Sequence, residues 1–129
     1  MALSNGFFCD HVLESYSDVV LLENDLRNGI LNVYGPSLLN VHFVVRDRFG
    51  SSLIVEFINN KIVVYRDDEI GIFTNEPTFD FHLTNVQHYK WKKTLERPVM
   101  DAPGAFYPEH RFLRLYSLKS GLDSPADNK

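Results

Sequence analysis

The sequence predicts an α+β fold in which helices cover the faces of an antiparallel sheet, and three observations carry that prediction. Apolar residues recur at helical spacing up to about residue 26, alternate with polar residues through the centre, and return to helical spacing after Pro77. Tight-turn residues separate the central segments, which favours a meander of neighbouring strands. The chain has 129 residues, of which 44% are hydrophobic, enough for one domain with its own core.

The region from Gly6 to Leu26 is predicted to be helical with one interruption. Its first part has Phe8, Val12, Leu13 and Tyr16 at helical spacing. Ser17-Asp18 has the residue types of a fresh N-cap. Asn28-Gly29 ends the second helix because both residues tolerate a left-handed backbone.

The central region predicts four strands. The first contains Val41, Phe43 and Val45 in alternation and ends in the turn Asp47-Arg48-Phe49-Gly50. The second spans 52–57 and the third 61–65, joined by the turn dipeptide Asn59-Asn60. After a turn at 67–69, we expect the fourth strand at 70–73.

Two further helices are predicted, one over 78–91 and one beginning near Glu109. The stretch from Arg97 to Pro108 reads as a loop because it holds three prolines and a glycine. Residues 120–129 are polar and turn-rich, so we expect a flexible tail after a domain spanning 1–119.

Composition excludes several classes of protein. The net charge of −4 argues against a nucleic-acid partner, which would require a basic surplus. No apolar run reaches the roughly 20 residues that span a bilayer. The start lacks a secretory pattern, and one cysteine allows no internal disulfide, so a reducing cytoplasm is expected.

The single thiol and the histidines give little sign of a site. Cys9 lies among Phe7, Phe8 and Val12 on a predicted helix, which favours a buried, inert cysteine. His82 and His88 are six residues apart and do not have the i, i+4 pairing of zinc helices. We therefore expect neither a metal nor a cofactor.

Two polar side chains are candidates for chemistry. Asn75 follows a predicted strand and precedes a helix; it is either a turn residue or an uncharged donor suited to a developing oxyanion. Arg111 lies in an otherwise apolar stretch and shares a helix face with Arg114, which is typical of a solvated ridge. Local pattern does not separate the two arginines.

Three ordered motifs resemble the choloylglycine hydrolase and penicillin V acylase family. Residues His42 to Glu56 are similar to that family's H-x-x-x-x-D-x-x-G-x-S-x-x-x-E hairpin, and Gly71 to Asn85 to its G-V-x-T-N-x-P-x-F-x-x-H-x-x-N. Residues 102–112 look like its L-P-G-D-x-x-P-x-S-R-F. The match covers nearly the whole chain.

The resemblance implies an N-terminal-nucleophile hydrolase with an αββα sandwich that cleaves linear amides such as conjugated bile salts or penicillin V. In that family a cysteine at the mature N-terminus attacks the amide, with its own amino group as base. The asparagine of T-N-x-P serves the oxyanion hole, and the arginine of S-R-F lies near the nucleophile. By position these are Asn75 and Arg111.

The sequence departs from the family pattern at several catalytic positions. Nothing corresponds to the family's opening cysteine segment or to the arginine and aspartate that follow it, and Cys9 falls in a helix before the hairpin. His110 and Ala105 replace the serine and aspartate of the third motif. The sequence thus predicts a truncated, inactive piece of an amide hydrolase.

The alternative is a non-catalytic module. It would bind a small amide or acyl ligand, or associate with itself or with a complementing fragment. If the second sheet of the sandwich is missing, we expect an exposed apolar stripe at Val41, Phe43 and Val45, flanked by Ile54 and Val64. We also expect Asn75 and Arg111 to lie close together.

Overall fold

The structure, a computed structural model, describes residues 1–35, 41–59, 61–94 and 107–123. The chain divides into two compact units, Met1–Gly71 and Ile72–Lys129. Among the described residues, the strands and the first two helices lie in the first unit, and the last two helices lie in the second.

The first unit begins with a short strand and two helices. In order, its opening elements are β1 (Ala2–Ser4), a 3₁₀ turn (Asn5–Phe7), α1 (Phe8–Ser15), α2 (Val19–Arg27) and β2 (Asn32–Tyr34). The predicted interruption at Asp18 is confirmed, since its side chain accepts a hydrogen bond from the Leu21 amide at 3.0 Å. Gly29, with φ of 68°, follows the end of α2 as the sequence predicts.

A three-stranded antiparallel sheet completes this unit. Strands β3 (Phe43–Arg46), β4 (Ser52–Ile58) and β5 (Lys61–Arg66) lie side by side in chain order. Val44 lies opposite Ile54, which lies opposite Tyr65, so these three side chains share one face of the sheet. Their neighbours along each strand lie on the other face. The predicted turn before β4 is confirmed by the bond from the Gly50 amide to the Asp47 carbonyl at 3.1 Å.

The face of the sheet that includes Phe43 and Val45 packs against α1 and α2. The core of the unit contains Phe8, Val12, Val19, Leu22, Leu26, Leu31, Leu53, Val55 and Val64, with Phe43 and Val45 packed against it. The expected exposed stripe is therefore wrong in placing these side chains towards a missing sheet. The helices already cover them, and the register puts Ile54 on the opposite face, where it is 1% exposed.

An ion pair joins α2 to the sheet. Glu23 accepts hydrogen bonds from Arg27 on its own helix and from Arg66 on β5. Arg27 also donates to the Val64 carbonyl at 3.1 Å. Although burial opposes ionisation, these two guanidinium partners hold the pKa of Glu23 below its usual range.

The predicted fourth strand at 70–73 does not form. The Asp67 carboxylate accepts hydrogen bonds from the amides of Ile70 and Gly71, both at 2.9 Å, and Gly71 has φ of 60°. Because these two amides already donate to Asp67, they are not available for hydrogen bonds to a neighbouring strand. The chain turns at this point instead.

The parallel pairing of β1 with β2 was not expected from the sequence. Leu3 lies opposite Val33, and the amino group of Met1 donates to the Ile30 carbonyl at 2.7 Å. Strands of three residues are too short to give a periodic signal, so the sequence yields no prediction for either segment.

The second unit consists of α3 (Phe79–Thr94) and α4 (Pro108–Asp123), as the sequence predicts. Phe79 and Phe112 meet edge to face at 6.2 Å, and Ser117 donates to the Tyr89 hydroxyl at 3.1 Å. The expected loop at 97–108 lies mostly outside the described residues. Helix α4 includes the first four residues of the predicted tail; residues 124–129 are outside the description.

Within the described part of the chain, no helix combines the length and the apolar character that crossing a membrane requires.

Candidate functional site

Asn75 lies in the bend that leads into α3. The residue is exposed, whereas Thr74 before it and Pro77 after it are half-buried. Its backbone is held from inside the unit, because the Asn75 carbonyl lies 3.2 Å from Nε2 of His82. The structure thus fixes the main chain at Asn75 and leaves the residue accessible.

His82 is the buried centre of this arrangement. It is 1% exposed, and its Nε2 also lies 3.1 Å from the Thr74 hydroxyl. The imidazole stacks on the ring of Phe112 in α4, with centroids 4.4 Å apart and planes 3° from parallel. Its position follows from the apolar spacing of Phe79 and Val86, which puts residue 82 on the inner face of α3.

The buried surroundings of His82 favour the neutral form of its ring. Burial lowers its pKa, and this outweighs the opposing effects of the Asn75 carbonyl, the Glu109 charge and the Pro77 carbonyl. A neutral imidazole has one N–H donor and one acceptor nitrogen.

Arg111 lies in the first turn of α4, with an exposed side chain, and its amide donates to the Tyr107 carbonyl at 3.1 Å. Two contacts join this part of α4 to the segment that carries Asn75. Thr74 donates to the Pro108 carbonyl at 3.4 Å, and Phe112 stacks on His82. The backbone segments of the two predicted site residues are therefore braced against each other within the second unit.

The hairpin of the first motif serves the fold. The Asp47 carboxylate accepts hydrogen bonds from the amides of Val19 (3.3 Å), Phe49 (2.9 Å) and Ser51 (3.0 Å). Desolvation raises the pKa of Asp47, but these backbone hydrogen bonds outweigh it and the pKa is lowered. Gly50 has φ of 92°, a conformation that favours glycine. Asp47 and Gly50 of the motif are thus explained by turn geometry.

The two ends of the same motif meet as a buried pair. Nδ1 of His42 lies 3.2 Å from Oε1 of Glu56, and the two side chains are 5% and 1% exposed. His42 directly precedes β3. The pairing of a basic with an acidic side chain is what allows both to be buried.

Cys9 corrects the sequence prediction of a buried thiol. It is exposed, whereas Phe8 and Val12 of the same helix are buried. An eight-residue helix can bury only one face, and the i, i+4 pair of Phe8 and Val12 takes it.

No group of three or more histidine, cysteine or acidic side chains among the described residues could hold a metal ion. The residues that the structure brings together are therefore a polar and aromatic set. Sequence reasoning weighed His82 only as a metal ligand and missed its bracing role. The signal was its place on the apolar face of a helix that directly follows Asn75.

Comparison with known proteins gives a consistent picture. The profile of the family described as linear amide C–N hydrolases, choloylglycine hydrolase family, matches residues 1–129. A bile salt hydrolase/transferase of Clostridium perfringens is 27% identical over 86% of this chain and 40% of its own length. One from Bifidobacterium longum is 33% identical over 60% of this chain and 25% of its own.

Solved structures extend the likeness to the fold. A variant of the conjugated bile acid hydrolase from Clostridium perfringens matches with a TM-score of 0.76 and 26% identity, over 95% of this chain and 43% of that one. Penicillin V acylase from Agrobacterium tumefaciens shares the fold with a TM-score of 0.61 at 20% identity, over 99% of this chain and 44% of that one. These neighbours confirm the predicted α+β class, and the chain spans less than half of their length.

Proposed function

Because this chain belongs to the choloylglycine hydrolase family of linear amide C–N hydrolases, we propose that it supplies the oxyanion side of an amide-cleaving site. Its fold is that of the family's N-terminal-nucleophile hydrolases. Asn75 and Arg111 are the residues proposed to act there. The observation that supports this assignment most directly is the fixed backbone and exposed position of Asn75.

The role of Asn75 follows from the charge that develops during amide cleavage. Attack on the amide carbon moves an electron pair onto the carbonyl oxygen, and a rigid neutral donor stabilises that oxygen better than mobile water does. A side-chain N–H of Asn75 is a neutral donor, carried on a backbone that His82 holds. Loss of one oxyanion donor typically lowers kcat by about 10²–10³-fold.

Arg111 is proposed to act on the nucleophile. A guanidinium keeps its charge at all working pH values, and a nearby positive charge favours the thiolate over the thiol. The braces from Thr74 to Pro108 and from His82 to Phe112 support placing Arg111 in the same site as Asn75.

These 129 residues are proposed to be inactive by themselves. The family's attacking cysteine has no counterpart in the pattern of this sequence, and Cys9 is a mid-chain residue of α1 whose nitrogen is part of a peptide bond. Groups that act as a unit lose most of their catalysis when one is removed. A partner carrying the nucleophile would have to complete the site.

A titration tests the site. The ¹⁵N-labelled chain receives a glycine-conjugated bile salt or penicillin V while the Asn75 side-chain amide and the Arg111 Nε resonance are followed. We expect both resonances to shift together and the response to disappear in Asn75→Ala. The control Asn24→Ala removes another exposed asparagine, on α2, and should leave the response unchanged. Shifts confined to residues other than these two would refute the assignment.

A second candidate function is a self-associating module. The second unit exposes several large apolar side chains: Phe81 (50%), Trp91 (54%), Tyr107 (64%), Leu115 (43%) and Leu118 (60%). Exposed apolar area of this kind favours association. Size-exclusion chromatography over a concentration series distinguishes the two functions, because a constant monomer mass would exclude the module.

A further inference from the structure

His82 makes two different contacts, each with one of the two segments proposed to carry function. Its edge meets the backbone of Asn75, and its face meets Phe112, the residue after Arg111. His82 is only 1% exposed, so it makes both contacts from a fixed position in the interior.

The hydrogen-bond pattern favours a proton on Nε2 of His82. The Asn75 carbonyl, 3.2 Å from Nε2, can only accept, so this tautomer turns the contact into a hydrogen bond. The Nε2–H is then shared with the Thr74 hydroxyl, 3.1 Å from Nε2, which gives its own proton to the Pro108 carbonyl. The other tautomer would set the lone pair of Nε2 against the lone pairs of the Asn75 carbonyl.

The stack on Phe112 supplies the second constraint. Two rings 4.4 Å apart and 3° from parallel fix the plane of the imidazole. Because Nε2 lies in that plane, the position of Phe112 also fixes the direction from which the Asn75 carbonyl is held. Movement of α4 would therefore reach Asn75 through the ring.

We propose that His82 is a positioning residue that sets Asn75 and Arg111 in one arrangement, through its Nε2–H bond to the Asn75 carbonyl and its stack on Phe112. The proposal rests on the proposed function for the meaning of that arrangement. The bond and the stack themselves are properties of the folded chain and can be measured without a ligand.

Two variants separate the two contacts. In His82→Gln the amide nitrogen takes the place of Nε2 and keeps a donor for Asn75, but the stack is lost. In His82→Phe the ring and its stack remain, but the donor is lost. His88→Gln is the matched control, because His88 is an exposed histidine of the same helix.

Backbone ¹⁵N relaxation at Asn75 reads the bond, and hydrogen exchange of the Arg111 amide reads the stack. In His82→Phe we expect the order parameter of Asn75 to fall from about 0.85 to below about 0.6, with exchange at Arg111 unchanged. In His82→Gln we expect Asn75 to stay rigid, while Arg111 exchanges roughly two- to tenfold faster, as loss of an aromatic pair implies. The control should change neither.

Equal effects of both variants at Asn75 and Arg111 would overturn the proposal, because they would indicate generic packing. The unmodified chain gives an independent test through the ¹⁵N shifts of the His82 ring. Protonated Nε2 is expected, and protonation of Nδ1 alone would overturn the proposal even if no variant folds. If the titration of Asn75 fails while these readouts hold, the proposed function fails and the bracing by His82 stands.

Discussion

The buried pair of His42 and Glu56 provides a quantitative test of how the first motif stabilises the fold. In the ionised form of the pair, opposite charges 3.2 Å apart attract by about 5 kcal/mol at an effective dielectric constant of about 20, from which desolvation must be subtracted. Truncating one partner leaves the other buried without its counter-charge. We therefore expect His42→Leu and Glu56→Leu each to lower the free energy of unfolding by about 3 kcal/mol.

The double variant should be less damaging than the sum of the singles. Replacing both partners by apolar side chains removes the desolvation cost as well as the attraction, so we expect a loss of about 1 kcal/mol. The resulting coupling of about 5 kcal/mol matches the attraction worked from the distance.

Hydrogen exchange of the β4 amides measures these free energies within the first unit, because Glu56 lies on that central strand. The control Glu14→Leu alters an exposed glutamate of α1 and should change stability by less than about 0.5 kcal/mol. A coupling below about 1 kcal/mol, the value of an ordinary neutral hydrogen bond, would refute the charge-pair reasoning.

Three further predictions concern single residues. Phe112→Ala should cost about 3–5 kcal/mol, because the side chain is fully buried; urea unfolding followed by Trp91 fluorescence measures it, and a loss under about 1 kcal/mol would contradict it. The lowered pKa of Asp47 means that its carboxylate stabilises the fold above its unfolded pKa and that this contribution is lost as pH falls through the folded value. An acid titration should show a weaker pH dependence for Asp47→Asn, and an unchanged profile would speak against it. Exposed Cys9 should react with a thiol reagent in the native chain as fast as in urea, and protection of the thiol would contradict the structure.

Elements with strong local signals were predictable from the sequence. The Asp18 cap and the Gly29 stop set the limits of α2 through contacts within a few residues of each other. Alternation and turn residues identified β3, β4 and β5, and helical spacing identified α3 and α4. In each case the residues that determine the element lie inside it or next to it.

Predictions failed where side chains acted on distant or competing backbone. The segment 70–73 has strand composition, but the Asp67 carboxylate binds the amides of Ile70 and Gly71 and prevents pairing. The exposed stripe was wrong because alternation shows that Phe43 and Val45 share a face without showing what covers it. Cys9 was misplaced for the same reason, since apolar neighbours in the sequence do not show which side chains of a short helix face the core.

The candidate site was predictable only in part. Asn75 and Arg111 were assigned to the site through the family resemblance. The local pattern alone also allowed a turn role for Asn75 and a solvated helix face for Arg111. The sequence placed His82 on the inner face of α3 but did not show its contacts to Thr74 and Phe112, which join residues 8 and 30 positions apart in sequence.

The central claim is that this chain carries the oxyanion side of an amide-hydrolase site without the nucleophile. The most direct test is an assay of the 129-residue chain with penicillin V and a glycine-conjugated bile salt, with a heat-killed sample as the blank and the Clostridium perfringens bile salt hydrolase/transferase as the positive control. We predict no turnover above the blank, because we propose that these residues lack the attacking group. Turnover above the blank that disappears in Cys9→Ala would contradict the account and identify Cys9 as a nucleophile.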